Sequence, residues 1–292
     1  GLIGFRDPNL VPIKDFYEPS TKFNYLAMLI SDGNFTVRKR FIEIISGWLI
    51  TKEDRFDFES RVLPYLLSGL FDDNEEVALT ALEKINEVGK KQEDDNEKEM
   101  REEIQYGVDS KWTFHYISIN SSEKNTENEL YTPEKYLTHL KYPFPLSGRP
   151  RRGARYLVKK YLRRYIKSLC KEFESIEYSI KLKTANLLLY SISFSEELTT
   201  EFLNEILLCL FKELSKPIYG LNIGDAVNVP TNFKTTASGY SHIAIKEAIE
   251  MKAILIRTCK MLGRFCDYES ILKIVYPTLK GDMFGMYPEI HR

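Results

Sequence analysis

A helix–turn–helix pattern that returns after 40 residues constrains the fold of this chain more than any other feature. Apolar residues spaced three and four apart form one stripe over 23–30 and, after the turn SDGN, a second stripe over 35–50. The same plan recurs over 61–89, so that Val37 and Val77 occupy equivalent positions 40 residues apart. This period is typical of HEAT and armadillo repeats, whereas TPR repeats have a period of about 34 residues.

Helix pairs return in the second half of the chain. One predicted pair spans 155–173 and 178–193, a second begins at 196–214 and is completed only at 243–266, and another starts at 268–282. Each pair exposes an apolar face that only a neighbouring pair can cover, so the pairs are expected to stack. The sequence therefore predicts an all-α fold, a HEAT/armadillo-type α-solenoid that forms a right-handed superhelix of about four to five repeats.

Two long segments interrupt this pattern and define the predicted organisation. We expect HEAT repeats over 1–91, an acidic and polar inter-repeat excursion over 92–152, and HEAT repeats again over 153–292, with a loop insertion at 215–242. Loops of this length are usually functional or lack stable structure. Both ends of the chain fall inside repeats, so we expect a fragment of a longer solenoid.

Four residues of the first two repeats carry local expectations. Gly89 is expected to end the second helix of its pair, and Pro64 to bend the first. Asp32 and Arg38 resemble the turn of HEAT repeats, in which an aspartate and an arginine form a ladder between neighbouring repeats. The ladder is expected to be incomplete, because Val77 is followed by Ala78 where the next arginine would be.

The residues that usually carry chemistry are not arranged for it here. The sequence contains no glycine-rich phosphate loop, no H-E-x-x-H and no G-x-S-x-G motif. Paired carboxylates such as Asp72 and Asp73 are expected to cap helices rather than to act as acid and base. No two histidines have metal-ligand spacing, and the four cysteines are expected to be reduced thiols: Cys170, Cys209, Cys259 and Cys266. We therefore predict no catalytic, cofactor-binding or metal residue, and no enzymatic activity.

A basic stretch is the sharpest electrostatic feature. Although the net charge is -1, the segment from Arg149 to Lys171 has ten Lys or Arg and no Asp or Glu, while acids dominate 93–103. We predict that the following residues bind a partner: Arg151, Arg152, Arg155, Lys159 and Arg163. The partner could be an acidic protein, or a nucleic acid that stacks on Tyr156, Tyr161 and Tyr165, although the overall charge balance argues against nucleic acid. Alternatively, this is a solvated helix face neutralised by the acids of the chain itself.

Three stretches also carry a resemblance to a known family. The strongest runs from Trp48 to Val77 and contains Trp48-Leu49, Asp54-Arg55-Phe56 and Arg61-Val62-Leu63-Pro64 before an acidic turn. The second is RPRRGARYLVKKYLRRYIKSL at 149–169, and the third, weaker one lies at 257–279. In their order and spacing these stretches resemble the HEAT-repeat family of dynein axonemal assembly factors, the fifth in that numbered set. The chain departs from the family at 215–242 and in the length of its acidic excursion.

The resemblance implies a non-catalytic function. Such factors are cytoplasmic scaffolds or adaptors that help to pre-assemble axonemal dynein arms before transport into cilia. The implied partners are dynein heavy and intermediate chains together with chaperones; no membrane is involved, and the oligomeric state is left open. A rival is a HEAT adaptor of transport or translation whose basic helix contacts acidic protein or RNA, and a third reading is a regulatory subunit of a kinase or phosphatase.

Overall fold

The computed structural model describes residue 16 and residues 24–98, 100, 142–175, 177–216 and 242–280. Outside these ranges lie three parts of the predicted organisation: the start of the first repeats before residue 24, most of the 92–152 excursion, and most of the 215–242 insertion. All regular structure within the described ranges is helical, which confirms the all-α solenoid. The helices are α1 (Tyr25–Ile30), α2 (Phe35–Thr51), α3 (Glu59–Ser68), α4 (Glu75–Asp95), α5 (Arg152–Glu172), α6 (Tyr178–Ser195), α7 (Leu203–Ser215), α8 (His242–Phe265) and α9 (Tyr268–Lys280), with short 3₁₀ segments at Arg55–Asp57, Gly69–Phe71 and Glu196–Phe202.

The first two repeats begin their second helices in the same way. Asn34 caps α2 by accepting a 2.9 Å hydrogen bond from the Thr36 N–H, and Asn74 caps α4 by accepting one of 2.9 Å from the Glu76 N–H. In each turn an aspartate accepts a hydrogen bond from the N–H of the capping asparagine: Asp32 from Asn34, and Asp72 from Asn74. The two caps are 40 residues apart, so the sequence period reports a real structural repeat.

One rung of side chains joins these two turns. The Arg38 guanidinium donates to both carboxylate oxygens of Asp72 at 2.7 Å, and also to the Asp32 carbonyl oxygen at 2.7 Å. Burial by itself would raise the pKa of Asp72, but the hydrogen bonds from Arg38 and the Asn74 N–H outweigh it and hold that pKa below its usual value. The predicted Asp–Arg ladder is thus confirmed for this step, and it stops at Ala78.

The helices form two layers, and the order of the layers changes along the chain. One layer runs through α1, α3, α6 and α8, and the other through α2, α4, α5, α7 and α9. In the first two repeats the chain enters each pair through the α1/α3 layer. After the excursion it re-enters beside α4, in the layer that it left. Helix α5 contacts α3 from that layer, and α6 takes the place next to α3 within the α1/α3 layer. A regular continuation of the repeat would have placed α5 there.

Two glycines allow α5 to lie directly against α4. A Cβ on Gly89 would lie 2.6 Å from the Ala154 backbone nitrogen, and a Cβ on Gly153 would lie 2.7 Å from the Gly89 carbonyl carbon. The expectation that Gly89 ends its helix is wrong, because α4 continues through Gly89 to Asp95. Gly89 instead removes the side chain that would hold α5 away. Pro64 lies inside α3, where it is buried.

The core is continuous along the stack. It includes Trp48, which packs edge-on against Phe58 with ring centroids 6.5 Å apart, and Phe194, which is fully buried in α6. The Tyr65 ring is also fully buried, while its hydroxyl accepts a 2.8 Å hydrogen bond from the Asn24 amide. Apolar contact between successive layers, with polar atoms paired at the edges, is what an α-solenoid needs for stability.

The first prediction concerns the α4–α5 contact. Gly153→Ala should lower the free energy of unfolding by about 1–3 kcal/mol or more, because its Cβ cannot fit without displacing the α4 backbone. Gly47→Ala is the matched control, since Gly47 lies inside α2 with open space around it. That change should raise stability by about 0.5–1 kcal/mol. Urea unfolding followed by circular dichroism measures both, and equal effects of the two changes would contradict the close contact.

The second prediction concerns pH. Because the folded pKa of Asp72 is depressed, its contribution is present above the unfolded value of about 3.9 and is lost as the pH falls through the folded pKa. Asp72→Asn should therefore be less stable than wild type at pH 7, and the difference should shrink below about pH 4. Asp73→Asn is the control, because the Asp73 side chain is 89% exposed. A difference for Asp72→Asn that does not change with pH would refute this assignment.

Candidate functional site

Helix α5 carries all but one of the residues predicted to bind a partner. Its apolar side chains recur at helical spacing and are buried in the core: Ala154, Leu157, Val158, Leu162, Ile166 and Leu169. This buried stripe fixes the rotation of the helix about its axis. The basic residues that interrupt it must therefore point in different directions, and the structure divides them into separate groups.

The first group lies at the amino-terminal end of α5, against the acidic end of α4. Arg151 donates to the Glu93 carboxylate at 2.6 Å, and the Gly153 N–H donates to the same carboxylate at 2.8 Å. Burial would raise the pKa of Glu93, but these hydrogen bonds lower it below the ordinary value. Arg152 donates to the backbone carbonyl of Met100. Glu93 thus neutralises part of this end.

The second group forms a row of ion pairs with the 3₁₀ segment that follows α6. Three basic side chains, one per turn of α5, each meet one glutamate of Glu196–Phe202. The pairs are Arg155 with Glu196 at 2.7 Å, Lys159 with Glu197, and Arg163 with Glu201 at 2.9 Å. Burial decreases along the row: Arg155 lies in the core, whereas the Arg163 side chain is 77% exposed. The row fastens the 3₁₀ segment to α5.

Glu196 is the anchor of that row. Its side chain is 2% exposed, and its carboxylate accepts two 2.7 Å hydrogen bonds from Arg149 besides the one from Arg155. Its backbone φ is 50°, in the left-handed region that residues other than glycine seldom adopt. Such a conformation costs of the order of 1–3 kcal/mol and persists only where the surroundings hold it. Here the two arginines hold it, which lets the chain turn sharply at the end of α6.

The five predicted residues therefore do not share one surface. Arg151 and Arg152 face the end of α4, while Arg155, Lys159 and Arg163 face the segment after α6. Each has a partner within the chain, and binding of another protein by this set stays a prediction.

Two of the tyrosines considered for stacking are in the core. Tyr161 and Tyr165 are 5% and 6% exposed, and their hydroxyls donate to Glu59 and Ser191. Burial, followed by the Glu59 contact, raises the pKa of Tyr161, and burial raises that of Tyr165. Neither ring face is available to a nucleic acid base.

A buried ionic network at the α3–α4–α5 junction was not anticipated from the sequence. The Glu59 carboxylate is fully buried and accepts from the Tyr161 hydroxyl at 2.6 Å and the Gln92 amide at 2.9 Å. The Arg55 guanidinium lies 3.3 Å from Glu59 and donates to Asp95 at 2.5 Å. Arg55 belongs to the Asp54-Arg55-Phe56 stretch, so this part of the resemblance has a structural role. The spacing of Arg55 and Glu59, four residues apart, was the only signal available.

An open groove lies where the turns of the first two repeats meet α6. It encloses about 390 Å³, and its polar lining consists of Ser31, Asp32, Arg38, Ser68, Asp72, Asp73 and Lys183. Arg38 is already bound by Asp72 and Asp73, and Lys183 donates to the Ser31 hydroxyl at 3.2 Å. The groove is therefore mixed in charge, and its lining contains no cysteine or histidine.

Burial also affects the cysteine thiols of the described residues. Contact with the Cys170 thiol and then burial raise the pKa of Cys209, and burial raises that of Cys266 to about 12. All four cysteines are free thiols. In the part of the chain that the structure describes, no three His, Cys, Asp or Glu side chains are grouped so as to hold a metal ion. No described helix is both long enough and apolar enough to cross a bilayer.

Comparison with known proteins agrees with the resemblance seen in the sequence. The family model described as "Dynein axonemal assembly factor 5-like, TPR repeats" matches residues 20–103. Dynein axonemal assembly factor 5 of Homo sapiens is 24% identical over 257 residues, which are 88% of this chain and 23% of that protein. The Mus musculus protein is 22% identical over 260 residues, with the same two shares. The Xenopus laevis protein is 26% identical over 85 residues, 29% of this chain and 10% of that protein. No solved structure gives a significant match.

The predicted resemblance is thus confirmed, and the chain spans less than a quarter of the length of these relatives. The description of the family model names TPR repeats, whereas the 40-residue spacing of the caps at Asn34 and Asn74 is that of HEAT repeats. Both repeat types are stacked pairs of antiparallel helices, so the two descriptions agree on the solenoid.

The third prediction concerns the Glu196 anchor. Glu196→Ala should lower the free energy of unfolding by about 3–5 kcal/mol, because it leaves Arg155 buried without its carboxylate. Glu201→Ala removes the exposed end of the same row and should cost at most about 1 kcal/mol. Chemical denaturation of both variants in parallel tests the gradient. Similar losses for the two changes would show that burial does not set the strength of these pairs.

Proposed function

We propose that this chain is part of a non-catalytic scaffold that holds subunits of axonemal dynein arms during their assembly in the cytoplasm. The observation that carries this proposal is its similarity, over 88% of the chain, to proteins named dynein axonemal assembly factor 5. The proposed partners are dynein heavy and intermediate chains together with chaperones.

A solenoid suits this task for a physical reason. Each repeat contacts only its neighbours, so the stack presents a long surface instead of closing around a small site. Stable protein complexes bury about 1,200–2,000 Å² or more, which an extended surface supplies without an internal cavity. A partner subunit that has not yet joined its own complex can be held across several repeats at once.

The basic residues predicted to bind a partner differ in how far a partner could reach them. Arg151 and Arg163, whose side chains are 41% and 77% exposed, are the members of the set that a partner could reach without breaking a buried pair. Arg155 is bound to Glu196 in the core and would act only by supporting the surface. We propose Arg151 and Arg163 as peripheral contacts.

The rival function is that of a HEAT adaptor in transport or translation whose basic helix contacts acidic protein or RNA. The observation in its favour is the dense positive charge of α5. RNA binding that falls steeply with salt would support it, since phosphate contacts release counterions.

The fourth prediction tests the proposed function. The tagged chain is expressed in ciliated cells, cytosol and axonemes are separated, and bound proteins are identified by mass spectrometry. Dynein heavy and intermediate chains should be recovered with chaperones from the cytosol and be absent from the axonemal fraction. Recovery of importins, ribosomal proteins or RNA instead would favour the rival.

A misfolded control is needed, because chaperones also bind unfolded chains. Leu66 is fully buried in α3, so Leu66→Asp places a charge in the core and should unfold its repeat. This variant should lose the dynein chains while it retains chaperones. If the variant recovers dynein chains as well as wild type does, the capture does not depend on the folded solenoid and the proposed function fails.

A further inference from the structure

Helix α5 has a third face, separate from the two that carry the neutralised groups of basic residues. Lys160, Arg164, Lys167 and Lys171 are exposed, and they follow one another at intervals of four, three and four residues. These intervals keep them on one side of the helix. At a rise of 1.5 Å per residue they form a ridge about 16 Å long, which we call the basic ridge.

The basic ridge keeps its charge. Arg164, Lys167 and Lys171 form no ion pair with any residue in the described ranges, and Lys160 reaches only the shared Glu59 carboxylate, at 3.5 Å. The acid next to Lys171 on the helix is Glu172, whose pKa is raised by burial, which makes it a poor counter-charge. On the same helix, by contrast, three other basic side chains each have a glutamate of their own: Arg155, Lys159 and Arg163.

An aromatic side chain stands at one end of the basic ridge. Phe56 is 53% exposed, and its ring lies 5.1 Å from the Lys160 ammonium and 4.4 Å from the Arg55 guanidinium carbon. Arg164 lies 5.8 Å from the Tyr161 ring. The cationic groups at this end are therefore held over aromatic faces, which orders them before a ligand arrives. An exposed aromatic ring beside ordered charges is a usual anchor of protein interfaces.

We propose that the basic ridge, together with Phe56, is a docking site for an acidic helical segment of a partner protein. This inference rests on the proposed scaffold function and names one of its contact surfaces. Its occupant is argued from charge complementarity: a helix with carboxylates at intervals of three and four residues matches the spacing of the ridge, and an apolar residue on it would cover Phe56.

Two described members of the acidic run, Glu93 and Met100, are bound at the other end of the helix. Glu93 is bound by Arg151 and the Gly153 N–H, and Met100 by Arg152, all at the amino-terminal end of α5. Lys171 is 18 residues further along the helix, roughly 27 Å away. Asp95, another described acid of this run, is bound by Arg55 and Lys91. Within the described ranges, neither Glu93 nor Asp95 pairs with the cations of the ridge.

A protein occupant is favoured over RNA by the same geometry. Single-stranded nucleic acid binding needs a groove and several rings on which bases stack. Here the charges stand on a convex helix, and two of its tyrosines, Tyr161 and Tyr165, are buried. Phe56 alone does not make a stacking platform.

The test compares two variants of the chain with equal net charge. The ridge variant carries Arg164→Glu, Lys167→Glu and Lys171→Glu, and it leaves Lys160 in place to support Glu59. The control variant carries Lys90→Glu, Lys260→Glu and Lys273→Glu, three exposed lysines on other helices. Melting temperatures of both should match wild type within a few degrees, since all six positions are exposed. Phe56→Ser, a third variant, tests the anchor without changing charge.

Binding is measured by fluorescence anisotropy with two labelled probes. One is a synthetic helical peptide of about 16 residues with glutamates at intervals of three and four and a single leucine, and the other is a 20-nucleotide RNA of mixed sequence. In about 0.1 M salt we expect the peptide to bind wild type and the control variant alike, and the ridge variant at least about tenfold more weakly. Phe56→Ser should weaken it about threefold or more.

Equal peptide affinity for the ridge and control variants would overturn the proposal. So would tighter binding of the RNA than of the peptide, with the RNA affinity lost in the ridge variant.

The cell experiment separates this inference from the proposed function. If the ridge variant still recovers dynein chains from cytosol as wild type does, the scaffold function stands and the docking site is wrong. If wild type recovers no dynein chains but binds the peptide through the ridge, the docking site stands and the scaffold function is wrong.

Discussion

The close approach of α4 and α5 is the contact on which the second half of the structure depends. Gly89 and Gly153 bring the two backbones together where any side chain would collide. That approach places the Gly153 N–H on the Glu93 carboxylate and Tyr161 on Glu59, so polar groups from three helices are satisfied at one junction. It also decides that α5 continues the layer of α2 and α4, which sets the order of every later helix.

The buried carboxylates Glu59 and Glu196 connect separate helical elements through hydrogen bonds and ion pairs. A buried ion pair seldom adds much stability over an apolar pair, but removing one partner is costly because the other charge stays buried. Glu59 and Glu196 each lie at a place where the chain leaves the regular repeat, at the α3–α4–α5 junction and at the turn after α6. Loss of an arginine partner at either place would leave a buried carboxylate without its counter-charge.

Helix α5 shows how a single basic sequence supports different roles. Its amino-terminal end is bound by Glu93 of α4, and one side is paired with the 3₁₀ segment after α6. On the remaining side Lys160 contacts Glu59, and the other exposed cations form no ion pair within the described ranges. A count of lysines and arginines cannot separate these groups. Only the rotation of the helix, which its apolar stripe sets, determines which cations are available to another molecule.

The sequence by itself determined the all-α class and the 40-residue spacing of the first two helix pairs, because apolar periodicity acts between residues close in the chain. The acidic turn was expected to supply caps from Asp72 and Asp73, whereas Asn74 is the cap of α4. The sequence also carried the family resemblance, which depends on order and spacing alone. Tertiary structure decided the rest. Gly89 was expected to end a helix, but it forms part of the contact surface between α4 and α5. The five residues predicted to bind a partner separated into two groups, each paired within the chain. Those outcomes depend on residues such as Glu59, Glu196 and Gly153 that are distant in sequence, and local patterns do not report which distant elements meet.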